Sequence, residues 1–482
     1  MIDEVRRMID KEKIIFYINK WKISPIRKHI VNAEQYYKGK HDILKRERTA
    51  IGNDGKPEAV ENLPNNKIVF NLYSKIVDQK TNYLFGKQTI FQSTDKNYND
   101  RLAEIFDKKF MRTFTALARN SINSGIAWLH PYYDEEGILR FKRIPASELC
   151  PIWADAEHTK LEMGIRIYTV DVYEMGQERT VEMVEVYTKD GVERFRYENG
   201  MFLEEEKSPY IITYTQRGDG SVVEQSFNWE RVPLIAFKSN TMEIPLLNRV
   251  KSLQDGINMM LSDFENAMQE DSGSSILVLK NYEGQNLGEF RKNLATYRAV
   301  KVRSMEGGEG GLDSLQVEVN AASYESILKV LKDSMFEAAN AFDAKDDRMG
   351  ASPNEMNLRS MYSDIDLDAN GTELEYKASL DDLFWFVDAH LFRIGAGKYF
   401  DVPIDVIFNR DMIVNEAGVI ENCKNSMGII SKETIVKMHP WVEDVDEEMK
   451  KVEEEESTQD TTYNMFNTLT APNRQVLDDG EE

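Results

Sequence analysis

The stretch LQDGINMMLSDFENAMQEDSGSSILVLKNYEG, residues 253–284, passes from helical to strand patterning. Apolar side chains recur three and four positions apart from Leu253 to Met268, which predicts an amphipathic helix over about residues 245–270. At the rise of an α-helix such a segment forms a rod of roughly 39 Å. The residues after DSGSS favour short strands, so the predicted order is a long helix followed by a small β-rich insert.

A second long helix is predicted after this insert. Within residues 271–319 the strand candidates are ILVLKNY, AVKVR and LQVEV, and the glycine-rich GGEGG at 307–311 interrupts them as a flexible segment. Apolar residues spaced from Tyr324 to Ala339 then predict the second rod, over about residues 320–342. A sheet this small must lean on something else for its core, and neighbouring copies of the chain can supply it.

Helices are also predicted towards the N-terminus. Residues 4–38 show mixed helical periodicity. In LPNNKIVFNLYSKIVDQKTNYLFGK, Asn65 or Asn66 is the expected N-cap of a helix that ends before Gly86. The apolar spacing over about residues 99–123 predicts one further helix.

Apolar and polar residues then alternate with a period of two, and glycine turns separate the runs. Residues 125–237 are therefore predicted to be mainly antiparallel sheet. After the second rod, DAKDDRMGASPNE at 343–355 reads as a polar loop, and apolar positions from Leu374 to Leu391 predict another long helix. Two shorter helices are expected over about residues 413–455. Together these patterns indicate an α+β fold.

Net charge limits the possible functions. The 482-residue chain carries 60 Lys and Arg against 83 Asp and Glu, a formal net charge of −23. A broad basic face that grips nucleic acid is therefore not expected. Residues 443–482 hold 14 acids against three Lys or Arg, and we expect residues from about 456 onward to be largely disordered.

Cysteine usage and the N-terminus exclude further classes. Cys150 and Cys423 are far apart and lack CxxC spacing, which argues against a disulfide scaffold, a zinc ribbon or a thiol redox motif. The first twenty residues carry charge throughout, and no run of eighteen apolar residues occurs. Synthesis in the cytoplasm and no membrane segment are therefore expected.

Two acidic runs come closest to metal motifs. Four residues of DIDLDANG match the first half of an EF-hand loop: Asp366, Asp368, Asn370 and Gly371. The match fails at Lys377, which stands where the bidentate carboxylate belongs, so a solvated helical face with Gly371 as a local kink is expected and calcium binding is the alternative. DAKDD at 343–347 resembles the paired carboxylates of a nuclease but has no assignable partner acid or histidine.

Other catalytic motifs are missing from the sequence. It contains no GxxxxGK[ST] phosphate loop, no HExxH or comparable histidine cluster, and no GxSxG elbow. We therefore assign no catalytic residue, no metal and no cofactor, and expect a protein that is not an enzyme.

Three blocks in succession carry a family resemblance: YYKGKHDIL at 36–44, the segment at 63–87 and the segment at 253–284. In this order and spacing they resemble the portal proteins of siphophages that infect Gram-positive hosts. The resemblance extends from about residue 30 to about residue 455. It implies a ring of about twelve subunits around a central tunnel for double-stranded DNA.

The resemblance also implies a domain plan: an antiparallel β-rich wing, long stem helices, a small β-containing clip and a helical C-terminal crown. The expected segments are 1–244 for the wing, 245–270 and 320–342 for the stem helices, 271–319 for the clip, 343–354 for a tunnel loop, 355–412 for a long helix and the return to the wing, 413–455 for the crown and 456–482 for an acidic tail.

The implied partners are other copies of the chain, double-stranded DNA, the terminase motor, a head–tail adaptor, the scaffold and the major capsid protein, at the portal vertex of a virion made in a bacterial host. No membrane partner is implied. Two alternatives remain at this point: another virion structural protein of the neck or shell, and a metal-dependent DNA-processing enzyme. The second would need convergent acids or histidines, which the sequence does not offer.

The expected DNA contact is the tunnel loop, where Lys345 and Arg348 stand among Asp343, Asp346 and Asp347. An acid close to each cation should keep every phosphate contact weak and quickly released, as transport requires. An exposed polar connection without DNA contact is the alternative interpretation.

The resemblance implies that the clip docks the motor and the adaptor, and its cations support this, because they stand out in an acidic chain. They are Lys280, Arg291, Lys292, Arg298, Lys301 and Arg303. The alternative is that these residues only solvate the strands.

Overall fold

The computed structural model describes residues 2–51, 56–59, 64–174, 176–216, 222–271, 276–280, 311–315, 321–343, 355–410, 416–442, 445 and 447–454. By its internal contacts the chain divides into two units, residues 1–343 with 364–411 and residues 344–363 with 412–482. The strands and both hydrophobic cores given below lie in the first unit.

Helices form much of the chain. They are α1 (Ile2–Ile23), α2 (Pro25–Tyr37), α3 (Leu72–Phe85), α4 (Lys96–Ile105), α5 (Lys108–Ser124), α6 (Leu247–Asp271), α7 (Ala321–Ala338), α8 (Glu355–Arg393), α9 (Glu416–Asn425) and α10 (Lys432–Met438). A 3-10 turn, Asp42–Lys45, follows α2, and residues 447–454 are also helical. With the strands below, this confirms an α+β protein.

The strands are β1 (Thr49–Ile51), β2 (Pro57–Ala59), β3 (Ile90–Ser93), β4 (Ile126–Tyr133), β5 (Leu139–Ile144), β6 (Leu149–Trp153), β7 (Leu161–Glu174), β8 (Gln177–Thr188), β9 (Gly191–Glu198), β10 (Met201–Ser208), β11 (Ile211–Gln216), β12 (Val222–Phe227), β13 (Ile235–Lys238), β14 (Ile276–Lys280), β15 (Gly311–Leu315) and β16 (Ile404–Ile407). The two largest sheets have the orders β10-β9-β8-β7-β6 and β13-β4-β5, and both are antiparallel. The predicted antiparallel sheet over 125–237 is confirmed.

Two helices predicted as continuous are each divided by an N-cap. Ser24 accepts a hydrogen bond from the backbone N–H of Arg27, and Pro25 occupies the first turn, so the predicted helix over 4–38 becomes α1 and α2. Asp107 caps α5 by accepting from the Phe110 N–H, which divides the predicted helix over 99–123 into α4 and α5. In both cases the apolar periodicity continues across the break and hides it.

The predicted cap at Asn65 or Asn66 is wrong. Helix α3 begins at Leu72, and Asn71 is its N-cap, accepting a hydrogen bond from the Ser74 N–H at 3.1 Å. The preceding residues 64–71 belong to no helix or strand. The predicted end is confirmed, because Gly86 is the C-cap.

The hydrophobic cores of the first unit include two that the described residues define. In one, α1 and α2 pack Ile18, Trp21 and Ile30 against sheet residues that include Trp128 and Phe195. The other joins helices α2, α3, α5, α6 and α7. Its buried members include Tyr36, Tyr73, Ile76, Ile122, Ile257, Met335 and Phe336.

The two predicted rods are confirmed as α6 and α7. Between them β14 pairs antiparallel with β15, from Ile276 opposite Leu315 to Lys280 opposite Gly311. Strand β15 therefore covers 311–315, so Gly311 belongs to a strand and not to a flexible segment. Only Leu315 of the candidate LQVEV lies within the described residues, and AVKVR lies outside them.

The predicted long helix after the polar loop is confirmed as α8, whose 39 residues span roughly 58 Å. Residues 416–454 contain three helical segments where two were predicted, because 447–454 follow α9 and α10. The acidic tail from residue 456 lies outside the described residues.

Candidate functional site

The three blocks that carry the family resemblance meet along one face of helix α6. That face holds polar side chains at four-residue intervals: Gln254, Asn258, Ser262 and Asn266. All four are buried, with exposed fractions of 2% or less. Since buried polar groups need hydrogen-bond partners, this face must contact other polar groups of the molecule.

The partners are backbone groups of the segment that precedes α3. The N–H groups of Asn66, Ile68 and Phe70 donate to Asn266 Oδ1, Ser262 Oγ and Asn258 Oδ1, at 2.8, 2.9 and 3.0 Å. Four residues of an α-helix rise about 6 Å, and two residues of extended chain advance about 6.6 Å. The two repeats therefore match, and we call this arrangement the polar ladder.

Gln254 completes the ladder where the extended segment becomes helical. Its Oε1 accepts from the Tyr73 N–H at 2.9 Å, and its Nε2 donates to the Phe70 carbonyl at 2.8 Å. The Tyr73 N–H is one of the first N–H groups of α3, which have no partner within the helix. One side chain of α6 thus contributes to the start of α3.

The first block joins the ladder through His41. Asn258 Nδ2 donates to His41 Nδ1 at 2.7 Å, so the ring is neutral and His41 Nε2 donates to the Tyr36 carbonyl at 3.0 Å. Burial lowers the pKa of His41 below its ordinary value of 6.5. The His41 ring stacks on Tyr36, whose hydroxyl donates to Asp255 of α6 at 2.6 Å.

Helix α7 packs antiparallel on another face of α6. Phe264 contacts Tyr324 near the start of α7, with ring centroids 5.1 Å apart. Leu331, seven residues further along α7, lies near Gly256, eight residues earlier in α6. The chain passes from one helix to the other through the segment that contains β14 and β15. Two amphipathic helices thus pack together with a β pair at the connection.

The C-terminal end of α7 is held by three side chains, Gln79, Lys80 and Asp368, which we call the α7 clamp. Lys80 Nζ donates to the Ala339 carbonyl at 2.6 Å and forms an ion pair with Asp368 at 2.8 Å. Burial lowers the pKa of Lys80, and the Asp368 carboxylate opposes this shift. Gln79 donates to the Phe342 carbonyl at 2.8 Å, directly before residues 343–354.

The EF-hand-like run is part of helix α8. Asp366 and Glu373 both pair with Arg410, and Asp368 belongs to the α7 clamp. The expected solvated face is therefore wrong for these three carboxylates, because each is neutralised within the fold. Among the described residues, no three His, Cys, Asp or Glu side chains are grouped as metal ligands.

The predicted DNA-contacting residues fall largely outside the described part of the chain. Lys345, Asp346, Asp347 and Arg348 lie outside it. Asp343 is described and lies 3.6 Å from Lys75 Nζ.

The predicted docking cations also lie largely outside the described part of the chain. Lys280 ends β14, where its backbone pairs with Gly311, and its side chain is not described. The others lie outside the described residues: Arg291, Lys292, Arg298, Lys301 and Arg303.

The polar ladder was not predicted from the sequence. The apolar spacing of α6 predicted the helix, although Gln254, Asn258, Ser262 and Asn266 repeat every four residues in it. This uncharged polar stripe was an available signal, because a solvent-facing stripe of such a chain would be expected to carry charge. Helix α6 thus has a polar partner as well as an apolar one.

No helix in the described stretches combines the length and apolar character required to cross a bilayer.

Comparison with known proteins gives a match to the family described as phage portal protein, SPP1 Gp6-like, over residues 22–462. The portal protein of Bacillus phage SPP1 is 30% identical over 438 residues, covering 88% of this chain and 83% of the relative. That of Clostridium phage phiCD119 is 28% identical over 445 residues, covering 90% and 94%. The chain therefore belongs to the phage portal protein family.

Proposed function

We propose that copies of this chain form a closed ring around the path of double-stranded DNA, with α6 and α7 as its stem. Portal proteins of this family are structural components that serve DNA packaging at the capsid vertex of the virion. The observation that carries the proposal is the pair of antiparallel helices, clamped to the body and joined through a small β pair.

The outer surface of α7 supports assembly. Ile327 and Val330 are exposed in the single subunit, Val330 to 63%. Apolar side chains on a long helix favour a further covering surface, and neighbouring subunits of a ring provide one. In this proposal residues 1–244 with the return segment 355–412 form the wing, and 413–455 form the crown.

Negative-stain images and sedimentation of the purified protein test the ring. We expect closed rings with a central hole and about twelve subunits. A stable monomer at micromolar concentration and moderate salt would contradict the proposal. A neck or shell protein would give a different particle, so the same images decide between these roles.

The DNA contact is proposed for the loop 343–354. The α7 clamp holds the chain up to Phe342, so the loop starts from a fixed point of the fold. Lys345 and Arg348 then contact phosphates without reading sequence, and the neighbouring acids keep each contact brief.

Replacement of both Lys345 and Arg348 by Ala is expected to leave rings intact and to change the packaging rate or DNA retention in an in vitro packaging assay. Lys189→Ala is the matched control, because Lys189 is an exposed cation in the turn between β8 and β9. A packaging rate and retention equal to wild type in the double variant would show that the loop is only a connection.

The segment 271–319 is proposed to dock the terminase motor during filling and the head–tail adaptor afterwards, while scaffold and major capsid protein contact the ring elsewhere. Charge reversal at Arg291 and Lys292 should weaken binding of the motor or the adaptor while rings still form. Lys189→Glu is the control for the added negative charge. Unchanged binding of both partners would remove this part of the proposal.

A further inference from the structure

Helix α8 has an apolar stripe that faces away from the core. One face of the helix is buried through residues such as Ile365, Tyr376, Leu380 and Leu383. The other face carries a series spaced three, four or seven residues apart, which we call the α8 seam: Leu367, Gly371, Leu374, Ala378, Trp385 and Phe392. Trp385 is half-buried, and the other five residues are exposed. This is the spacing of a helix–helix contact surface.

The seam is open for a partner to approach closely. Leu367 and Leu374 are exposed to 69% and 70%. Between them, a Cβ atom added at Gly371 would have no atom within 4 Å. Two leucines that flank a flat position allow another helix to pack against α8 at short distance.

Charge selects the kind of partner. Residues 364–382 hold seven acids against Lys377 alone. Four of the acids are paired inside the fold, namely Asp366, Asp368, Glu373 and Asp382. Asp381 is exposed on the seam side of the helix. A partner of this surface should therefore be both apolar and basic.

Helices α1 and α2 carry a surface of that description. Residues 11–28 contain six Lys or Arg against Glu12 alone, in a chain whose net charge is −23. Two of these cations, Lys11 and Lys22, pair with Glu205 and Glu182 within the subunit. Their exposed apolar residues are Phe16 at 62% and Ile23 at 72%, with Ile26 after the helix break and the exposed Lys20 between them. We call Phe16, Lys20, Ile23 and Ile26 the N-terminal ridge.

We propose that the N-terminal ridge of one subunit binds the α8 seam of the next subunit. The two surfaces belong to different parts of the chain, so the contact is heterologous, and a heterologous contact generates a ring when its rotation closes. Pairing of two seams would bring two acidic surfaces together, which charge repulsion opposes. This inference rests on the proposed ring and identifies the surfaces that form it.

Two double variants test the interface, one on each surface: Leu367→Ser with Leu374→Ser, and Phe16→Ser with Ile23→Ser. All four side chains are exposed in the subunit, so the fold should be retained. Each variant alone should reduce the fraction of subunits in rings more than about tenfold, because apolar interface anchors are lost. Tyr173→Ser with Met201→Ser, exposed apolar residues of β7 and β10, is the matched control and should form normal rings.

Mixing the two variants in equal amounts gives the decisive result. The seam variant keeps an intact ridge and the ridge variant keeps an intact seam, so one junction forms and growth stops at a dimer. Mass photometry should show dimers in the mixture and monomers in each variant alone.

Several results would overturn the inference. They are normal rings from either variant, loss of rings from the seam variant but not from the ridge variant, and a ridge variant that assembles normally but loses DNA binding. If the wild-type protein forms no ring, the proposed function fails and the inference fails with it. Wild-type rings together with normal variant rings refute only the inference.

Discussion

Helices α6 and α7 are the two rods of the molecule, and they are attached to the rest of the fold in opposite ways. Helix α6 is attached along four turns by neutral side chains that bind an extended backbone. Helix α7 is buried mainly near its C-terminal end, at Met335 and Phe336, where a charged lysine binds its last carbonyls.

The difference determines which parts of each helix have a fixed position. Any slip of α6 along residues 66–73 breaks every rung of the polar ladder at once, so its register is specified over its length. Helix α7 is specified where the loop 343–354 begins, and its earlier turns lean on α6 through Tyr324 and Leu331. In the proposed ring, the loop would therefore start from a firm base.

The largest effect is expected from Lys80→Met in the α7 clamp. The variant leaves Asp368 and the Ala339 carbonyl without their buried cation, which should cost about 3 kcal/mol. Hydrogen exchange of the amides from Phe336 to Phe342 should become roughly a hundredfold faster. The control is Lys75→Met, since Lys75 also lies on α3. Its ion pair with Asp343 is more exposed and should contribute no more than about 1 kcal/mol. Equal exchange in both variants would show that Lys80 holds the end of α7 no more firmly than Lys75 does.

Asn258→Ala tests the polar ladder. It leaves the Phe70 N–H without its acceptor and removes partners from Gln254 and His41, at a cost of about 2 kcal/mol. Exchange of the amides from Asn66 to Tyr73 should accelerate, while the end of α7 keeps its protection. Met259→Ala, one position further and partly exposed, is the control and should cost less than about 1 kcal/mol. Protection of 66–73 that survives Asn258→Ala would contradict the ladder.

The ladder should also weaken in acid, through His41. Its pKa is lowered in the folded state, so protonation is disfavoured there, and the ladder is fully stable above the ordinary pKa of 6.5. Stability is lost as the pH falls from 6.5 through the lower folded-state pKa. In His41→Gln the exchange of 66–73, corrected for its intrinsic pH dependence, should show no such loss. A pH response identical to wild type would assign the effect to another group.

The smallest effect is expected from Val330→Ala on the exposed side of α7. Its cost in the isolated subunit should be below about 0.5 kcal/mol, because the side chain has few contacts to lose. Exchange of the α7 amides should equal that of wild type. A loss comparable to that of Asn258→Ala would mean that α7 is supported along its length, as α6 is.

The elements whose signal is local could be predicted from the amino-acid sequence. The rods α6 and α7, helix α8, the antiparallel sheet over 125–237 and the end of α3 at Gly86 follow from apolar periodicity and turn residues. The order of the three blocks was sufficient to identify the family, because that order is a property of the chain alone.

The roles of the polar residues in those elements depend on contacts that form only in the folded chain. Ile68 and Val69 fit a helical face, yet residues 64–71 belong to no helix, and side chains about 200 positions later accept their N–H groups. Asp366 and Asp368 were predicted to lie on a solvated face, but in the fold they pair with Arg410 and Lys80. The spacing of apolar residues predicts which side chains are buried. The partner of a buried polar group is distant in sequence, and only the fold brings the two together. The ladder and the clamp therefore required the structure.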